Sequence, residues 1–218
     1  MQEKNVTEIL SELVKIKSIS SDKNHIADVK KSAEFVEKLF LELGLKTKIA
    51  TSGNSRPAVL AQTEINPDRK TVLLYAHHDV QPVGDINKWE TDPFNPEIIN
   101  GRLFGRGSGD NKAGVVIHHE VVKELMKDLP VNIKIFIEGE EEIGSPCMAQ
   151  FLEEFNKELE ADVIVIADSG NIRIGTPTVT TSLRGLVDGF IEVDQPMRPV
   201  HSGVGGGVVP DAFMVLSK

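Results

Sequence analysis

The sequence predicts an α/β fold, a sheet flanked by helices, and three observations carry that prediction. Segments with apolar residues at helical spacing alternate with short apolar runs of strand length. One of those runs, 71–76, is mostly apolar throughout, the pattern of a strand buried on both faces. Hydrophobic residues make up 40% of the 218 and charged residues 26%, ordinary proportions for a chain that buries a core of normal size.

Residues 6–19 place Val6, Ile9, Leu10, Leu13 and Ile16 at helical spacing and predict an amphipathic helix. After a polar break at 20–23, a second helix is predicted over 28–43, with Val29, Ala33, Val36, Phe40 and Leu43 on one stripe. Gly44 stands where a helix C-cap glycine belongs. Strands are expected at 45–50, 58–63 and 71–76. Residues 81–101 hold Pro82, Pro93, Pro96 and two glycines and are expected to be mainly loop. A helix over 112–127, a strand at 131–138, a helix over 147–158 and a strand at 162–167 follow. From residue 178 the texture changes. Residues 178–182 and 189–193 read as β segments, 201–212 as a flexible stretch, and 210–216 as the start of a helix at the end of the sequence. A second domain, of which only the first part is present, is the expectation from that ending.

Net charge is −9, and no basic stripe is present beyond short pairs such as Lys30-Lys31. That argues against a nucleic-acid partner, which needs a clustered basic face. The single cysteine, Cys147, excludes an intrachain disulfide and a paired-cysteine metal or redox motif. The opening stretch lacks the basic-then-apolar layout of a secretion signal. No apolar run approaches the roughly 20 residues needed to span a bilayer. A cytoplasmic protein without a membrane partner is the expectation.

The chemistry concentrates in four motifs between residues 73 and 170: LLYAHHDVQP (73–82), LFGRGSGDNKAG (103–114), FIEGEEEIGS (136–145) and VIVIADSG (163–170). Each has an ordinary reading when taken alone. His77-His78-Asp79 reads as a polar strand end, but alternation puts His77 and Asp79 on one face, where a carboxylate can orient an imidazole ligand. Asp110, before a predicted helix, reads equally as an acidic N-cap and as a metal ligand. The glycine-rich 105–112 segment does not match a phosphate loop, because it lacks the Gly-Lys-Ser/Thr ending. Glu138 to Glu142 reads as a solvated acidic turn or as carboxylates that a cation neutralises. His77, Glu141, Glu142 and Asp168 all fall at or just past strand ends, where ligands bind in open α/β sheets, and this agreement favours a site for divalent metal. His118 and His119 fall on a predicted helix and are assigned to packing or to the surface.

In this order and spacing the motifs resemble the M20 family of zinc-dependent metallopeptidases. AHHDVQP, Trp89 with Asp92-Pro93-Phe94, GRGSGDNKAG, EGEEEIGS and HSGVGGG carry the resemblance, over residues 5 to 212. HHDVQP, EGEEEIGS and the Leu-Arg-Gly at 183–185 look most like the dipeptidase branch. The resemblance implies a mixed sheet flanked by helices over residues 1–180 and the beginning of an inserted α+β lid over 181–218. It implies two divalent ions, zinc or alternatively manganese or cobalt, and hydrolysis of small peptides or N-acyl amino acids. His77 and Asp168 would bind one ion, Asp110 would bridge both, and Glu142 would bind the other. Glu141 would be the general base and Asp79 would orient His77. The bond after Asp110 would be cis. His201 would stabilise the oxyanion, reaching a partner's site in a homodimer formed through the lid. Family members carry a further histidine ligand nearer their C-terminus, which has no counterpart in these 218 residues. Asn111 stands where many have a second aspartate. The alternative reading is a catalytically inactive fragment that binds metal weakly.

Overall fold

A computed structural model describes residues 5–193, 198 and 201–217. The opening residues 1–4, part of the stretch read above for a leader, and seven positions at 194–218 of the expected lid lie outside the described residues. The chain divides into two compact units, 1–170 and 171–218.

In the first unit, α1 (Val6–Val14) starts at a reciprocal cap. The Asn5 side chain accepts the Glu8 N–H at 2.9 Å, and the Glu8 carboxylate accepts the Asn5 N–H at 3.0 Å. The helix ends at Val14, five residues short of the sequence expectation. Around its end the carbonyls of Leu13 and Ile16 accept from the Lys112 ammonium, a long-range partner that the local pattern cannot reveal. Helix α2 (Ile26–Glu42) ends as expected at Gly44, whose φ of +86° a Cβ would oppose. There Gly44 N–H bonds Leu41 O and Leu45 N–H bonds Phe40 O, closing the last turn.

Strands β1 (Lys46–Ala50), β2 (Ala58–Gln62) and β3 (Thr71–His77) follow. The 81–101 segment is not all loop. A short hairpin pairs β4 (Glu97–Ile99) with β5 (Arg102–Phe104) across Asn100-Gly101, both at positive φ. An Asn-Gly pair between apolar residues is the sequence signal for such a turn. Then come α3 (Lys112–Leu125), β6 (Asn132–Glu138), α4 (Met148–Glu154), α5 (Asn156–Leu159) and β7 (Val163–Ile166). The single helix expected over 147–158 is broken at Phe155, and the break lets Phe151, Phe155 and Leu159 all pack into one cluster under the sheet.

The sheet order is β1-β2-β6-β3-β7, with the first two pairings antiparallel and the last two parallel. It is the mixed sheet that was expected. Alternation along β3 and β6 divides the core. Leu74, Ala76, Ile135 and Ile137 face the three longer helices, while Leu73 and Phe136 meet Phe151 and Leu159 on the other side. Each face covers apolar surface at about 25 cal/mol per Å² removed from water, so both layers hold β3 and β6 in place. The carboxyl ends of β3, β6 and β7 therefore lie side by side at one edge of a packed scaffold.

In the second unit, α6 (Ser202–Gly205) and α7 (Ala212–Leu216) are short helices. The stretch expected to be flexible over 201–212 thus contains α6. The β segments expected at 178–182 and 189–193 are not strands. Val179, Phe190 and Ile191 are exposed, and no strand pairs with either segment among the described residues. Without a neighbour to take its N–H and C=O groups, a β-prone run does not make a strand.

Candidate metal centre

His77 is the last residue of β3 and is fully buried. Its Nε2 lies 3.1 Å from Asp110 Oδ1, 3.7 Å from Glu141 Oε2 and 3.8 Å from Asp168 Oδ2. On the other side of the ring, Nδ1 is 3.1 Å from the Asp79 carbonyl and 3.4 Å from its carboxylate. Asp79 thus fixes the ring and leaves Nε2 aimed at three carboxylates.

Each contributor arrives on a different element. The strand register pairs Tyr75 with Ile166, and two residues further along each strand direction His77 comes level with Asp168. Asp110 precedes α3, and the Asp110–Asn111 peptide is cis. Glu141 and Glu142 begin a single 3₁₀ turn (Glu141–Ile143) just past β6. That turn is tied down because both Asp79 oxygens accept from it, one from Glu141 N–H and one from Glu142 N–H, each at 3.2 Å.

The electrostatics favour positive charge at this point. Burial opposes protonation of His77, but the Asp79 hydrogen bond and the charges of Asp79, Asp168 and Glu141 prevail and raise its pKa to about 9. Burial likewise opposes ionisation of Asp79, yet contact with His77 holds its carboxyl below the usual range. Glu141 is pushed up, first by burial and then by Asp168 and Glu142, against the pull of His77. Glu142 is raised by burial and by Asp110, against a hydrogen bond from Gln81.

The donor set fits a divalent ion. One atom each from His77, Asp110 and Asp168 all lie within 4.8 Å of one another. A cation with bonds of about 2.0–2.2 Å sets tetrahedral donors roughly 3.4 Å apart, and the 3.1 and 3.8 Å separations at His77 bracket that value. Imidazole and carboxylate together suit zinc, manganese or cobalt. Glu142 stands outside this three-residue group. Its carboxylate accepts Gln81 N–H at 3.3 Å while its carbonyl accepts the Gln81 amide at 2.7 Å. His201 belongs to the second unit, where its Nδ1 accepts Gly203 N–H at the start of α6.

Several contributors escaped sequence reasoning. In the acidic run, Glu138 and Glu140 turn inward instead of toward solvent. Glu138 accepts the Tyr75 hydroxyl at 2.6 Å, and Glu140 accepts the N–H groups of Arg56 and Cys147. Lys112 is buried, and its ammonium joins the end of α1 to the start of α3. His118 and His119 serve packing, as expected. His118 Nε2 contacts the Tyr75 carbonyl at 2.9 Å, and the His119 ring meets Phe40 edge-on.

Residues 73–204 match peptidase family M20/M25/M40. A cysteinylglycine-S-conjugate dipeptidase of Corynebacterium striatum is 35% identical over 96% of this chain and 47% of its own length. A Cys-Gly metallodipeptidase of Schizosaccharomyces pombe is 38% identical over 92% of this chain and 45% of its own. Among solved structures, human carnosine dipeptidase 1 superposes with a TM-score of 0.74 at 28% identity, over 97% of this chain and 48% of that one. The chain therefore spans less than half the length of these relatives.

Proposed function

Because the chain belongs to peptidase family M20/M25/M40, we propose that it performs metal-dependent hydrolysis of amide bonds in dipeptides or N-acyl amino acids. The observation that carries this is His77 Nε2, oriented by Asp79 and faced by Asp110, Glu141 and Asp168 at 3.1 to 3.8 Å. His77 and Asp168 would hold one zinc ion, Asp110 would be shared, and Glu142 would hold a second. Bound there, the ions supply the Lewis acidity that activates water and polarises the scissile carbonyl.

The chain's own residues do the rest. Glu141 takes the proton from the attacking water and returns it to the departing amine, a role suited to a half-buried carboxylate with a raised pKa. Asp79 keeps His77 in one tautomer and holds the Glu141 turn against it. His201 would donate to the oxyanion, across a homodimer formed through a lid over 181–218. The relatives' names point to Cys-Gly and β-Ala-His as the peptides to try first. The single cysteine supports a reducing compartment, and the cytoplasm is the location we assign. Among the described residues no helix is long and apolar enough to cross a membrane.

The relatives' greater length favours a second reading, in which this segment binds metal weakly and does not turn over by itself. One experiment separates the two. Metal-free chain is titrated with zinc chloride by calorimetry, beside Asp110→Ala, and then offered Cys-Gly and β-Ala-His. Two tight sites lost in the variant, with peptide hydrolysis, support the enzyme. One weak site without hydrolysis supports the partial centre. No binding at all overturns both.

A further inference from the structure

Asn111 touches every element that carries the three clustered donors. It is peptide-bonded to Asp110. Its Oδ1 accepts the backbone N–H of His77 at 3.2 Å, and its Nδ2 donates to the Ala167 carbonyl and, at 2.9 Å, to Asp168 Oδ1. The residue is only 2% exposed, so water does not replace these partners. His77 presents a donor, whereas Ala167 and Asp168 present acceptors. Only a group with an acceptor on one side and two donors on the other satisfies all three, and among side chains of this size that group is the asparagine amide. A carboxylate here would set an oxygen against two other oxygens, one of them charged. An alanine would leave buried N–H and C=O groups without partners.

We propose that Asn111 is a positioning residue for the metal centre. By holding Asp168 Oδ1 it leaves Oδ2 turned toward His77, 3.8 Å from Nε2, and so sets the spacing of the donor set. The proposal rests on reading His77, Asp110 and Asp168 as ligands. Gly114, in the first turn of α3, makes the arrangement possible. A Cβ there would lie 2.5 Å from Asn111 Oδ1 and collide with the Ala167 carbonyl oxygen. The helix backbone therefore closes directly over the amide and confines it to one orientation. Position 111 thus governs the centre through hydrogen bonds alone, without contributing a ligand.

The test uses the whole 218-residue chain, metal-free, titrated with zinc chloride by calorimetry. Wild type is compared with Asn111→Asp, Asn111→Ala and Asp110→Ala, and the cobalt(II) absorption spectrum of each is recorded. Both Asn111 variants are expected to keep the wild-type circular dichroism and to bind zinc about ten- to a hundredfold more weakly. Their cobalt bands should shift, which a merely structural role would not cause. Wild-type affinity and an unshifted cobalt spectrum in the folded variants would overturn the proposal and leave the metal reading standing. Absent binding in wild type, or binding unaffected by Asp110→Ala, would overturn the metal reading and this proposal with it. Should neither Asn111 variant fold, nuclear magnetic resonance of wild type decides. The Asn111 side-chain amide should exchange slowly and shift when zinc is added, and an amide that exchanges freely and ignores zinc would end the proposal.

Discussion

The carboxylate of Asp79 accepts the Glu141 N–H at 3.2 Å while lying 3.4 Å from Nδ1 of His77. One buried side chain therefore sets both an imidazole and the turn that carries the candidate base. Asp79→Ala removes both restraints and leaves the N–H groups of Glu141 and Glu142 without their partner. Zinc affinity is expected to fall about ten- to a hundredfold, read by calorimetry. Asp79→Asn should keep much of that loss, because its NH₂ must face a ring N–H or a backbone N–H. Wild-type affinity in both variants would show that His77 needs no such support.

Glu141 is 3.7 Å from His77 Nε2 yet is not one of the three clustered donors. Its removal should therefore separate binding from chemistry. Glu141→Ala is expected to lower peptide turnover about 10²- to 10⁴-fold with zinc affinity close to wild type. Calorimetry and a hydrolysis assay on the same samples check this. Turnover retained in the variant would reassign the base.

The strands that frame the site were legible because their signal is local. Apolar runs ending in His77, Glu138 and Ala167 announce three strands, the last of them an exposed edge strand, and polar residues past such ends have one place to go. What escaped depends on partners distant in sequence. Helix α1 stops where Lys112, about a hundred residues later, takes its carbonyls. Glu138 and Glu140 look like their acidic neighbours until Tyr75, Arg56 and Cys147 are placed around them. Asn111 looks like a mild change from aspartate, and only the acceptors on Ala167 and Asp168 show why an amide differs. The opposite error arose at 178–182 and 189–193, where β propensity was present and a pairing neighbour was not.

His118 gives the fold a dependence on acid. Burial is the main influence on it and lowers its pKa, against a weaker opposing effect from its hydrogen bond to the Tyr75 carbonyl. A group depressed in the folded state contributes fully above its unfolded pKa, about 6.5, and that contribution is lost as pH falls toward the folded value, because the unfolded chain takes the proton first. Between pH 7.5 and 5.5 this group therefore subtracts stability, and wild type should fall relative to His118→Gln over the same interval. Urea midpoints at the two pH values measure it. Equal losses in the two proteins would show that His118 is not responsible.

Metal should also act on stability, because the donors cross-link separate parts of the fold. His77 ends β3, Asp168 follows β7, and Asp110 precedes α3. Without a metal ion, Asp110, Asp168 and Glu141 share the single positive charge that His77 can carry, and the remaining like charges repel one another in the folded state. A ligand that binds only the folded state at a hundred times its Kd contributes about 2.7 kcal/mol. Zinc in that excess is expected to raise the thermal midpoint of wild type, and a chelator to reverse the rise. Asp168→Ala should lose most of the zinc response, while its midpoint in chelator stays near that of wild type because one repulsive charge has gone. Scanning calorimetry of both proteins with and without chelator distinguishes the cases. A wild-type midpoint that ignores both zinc and chelator would show that the cluster does not hold a cation in this chain.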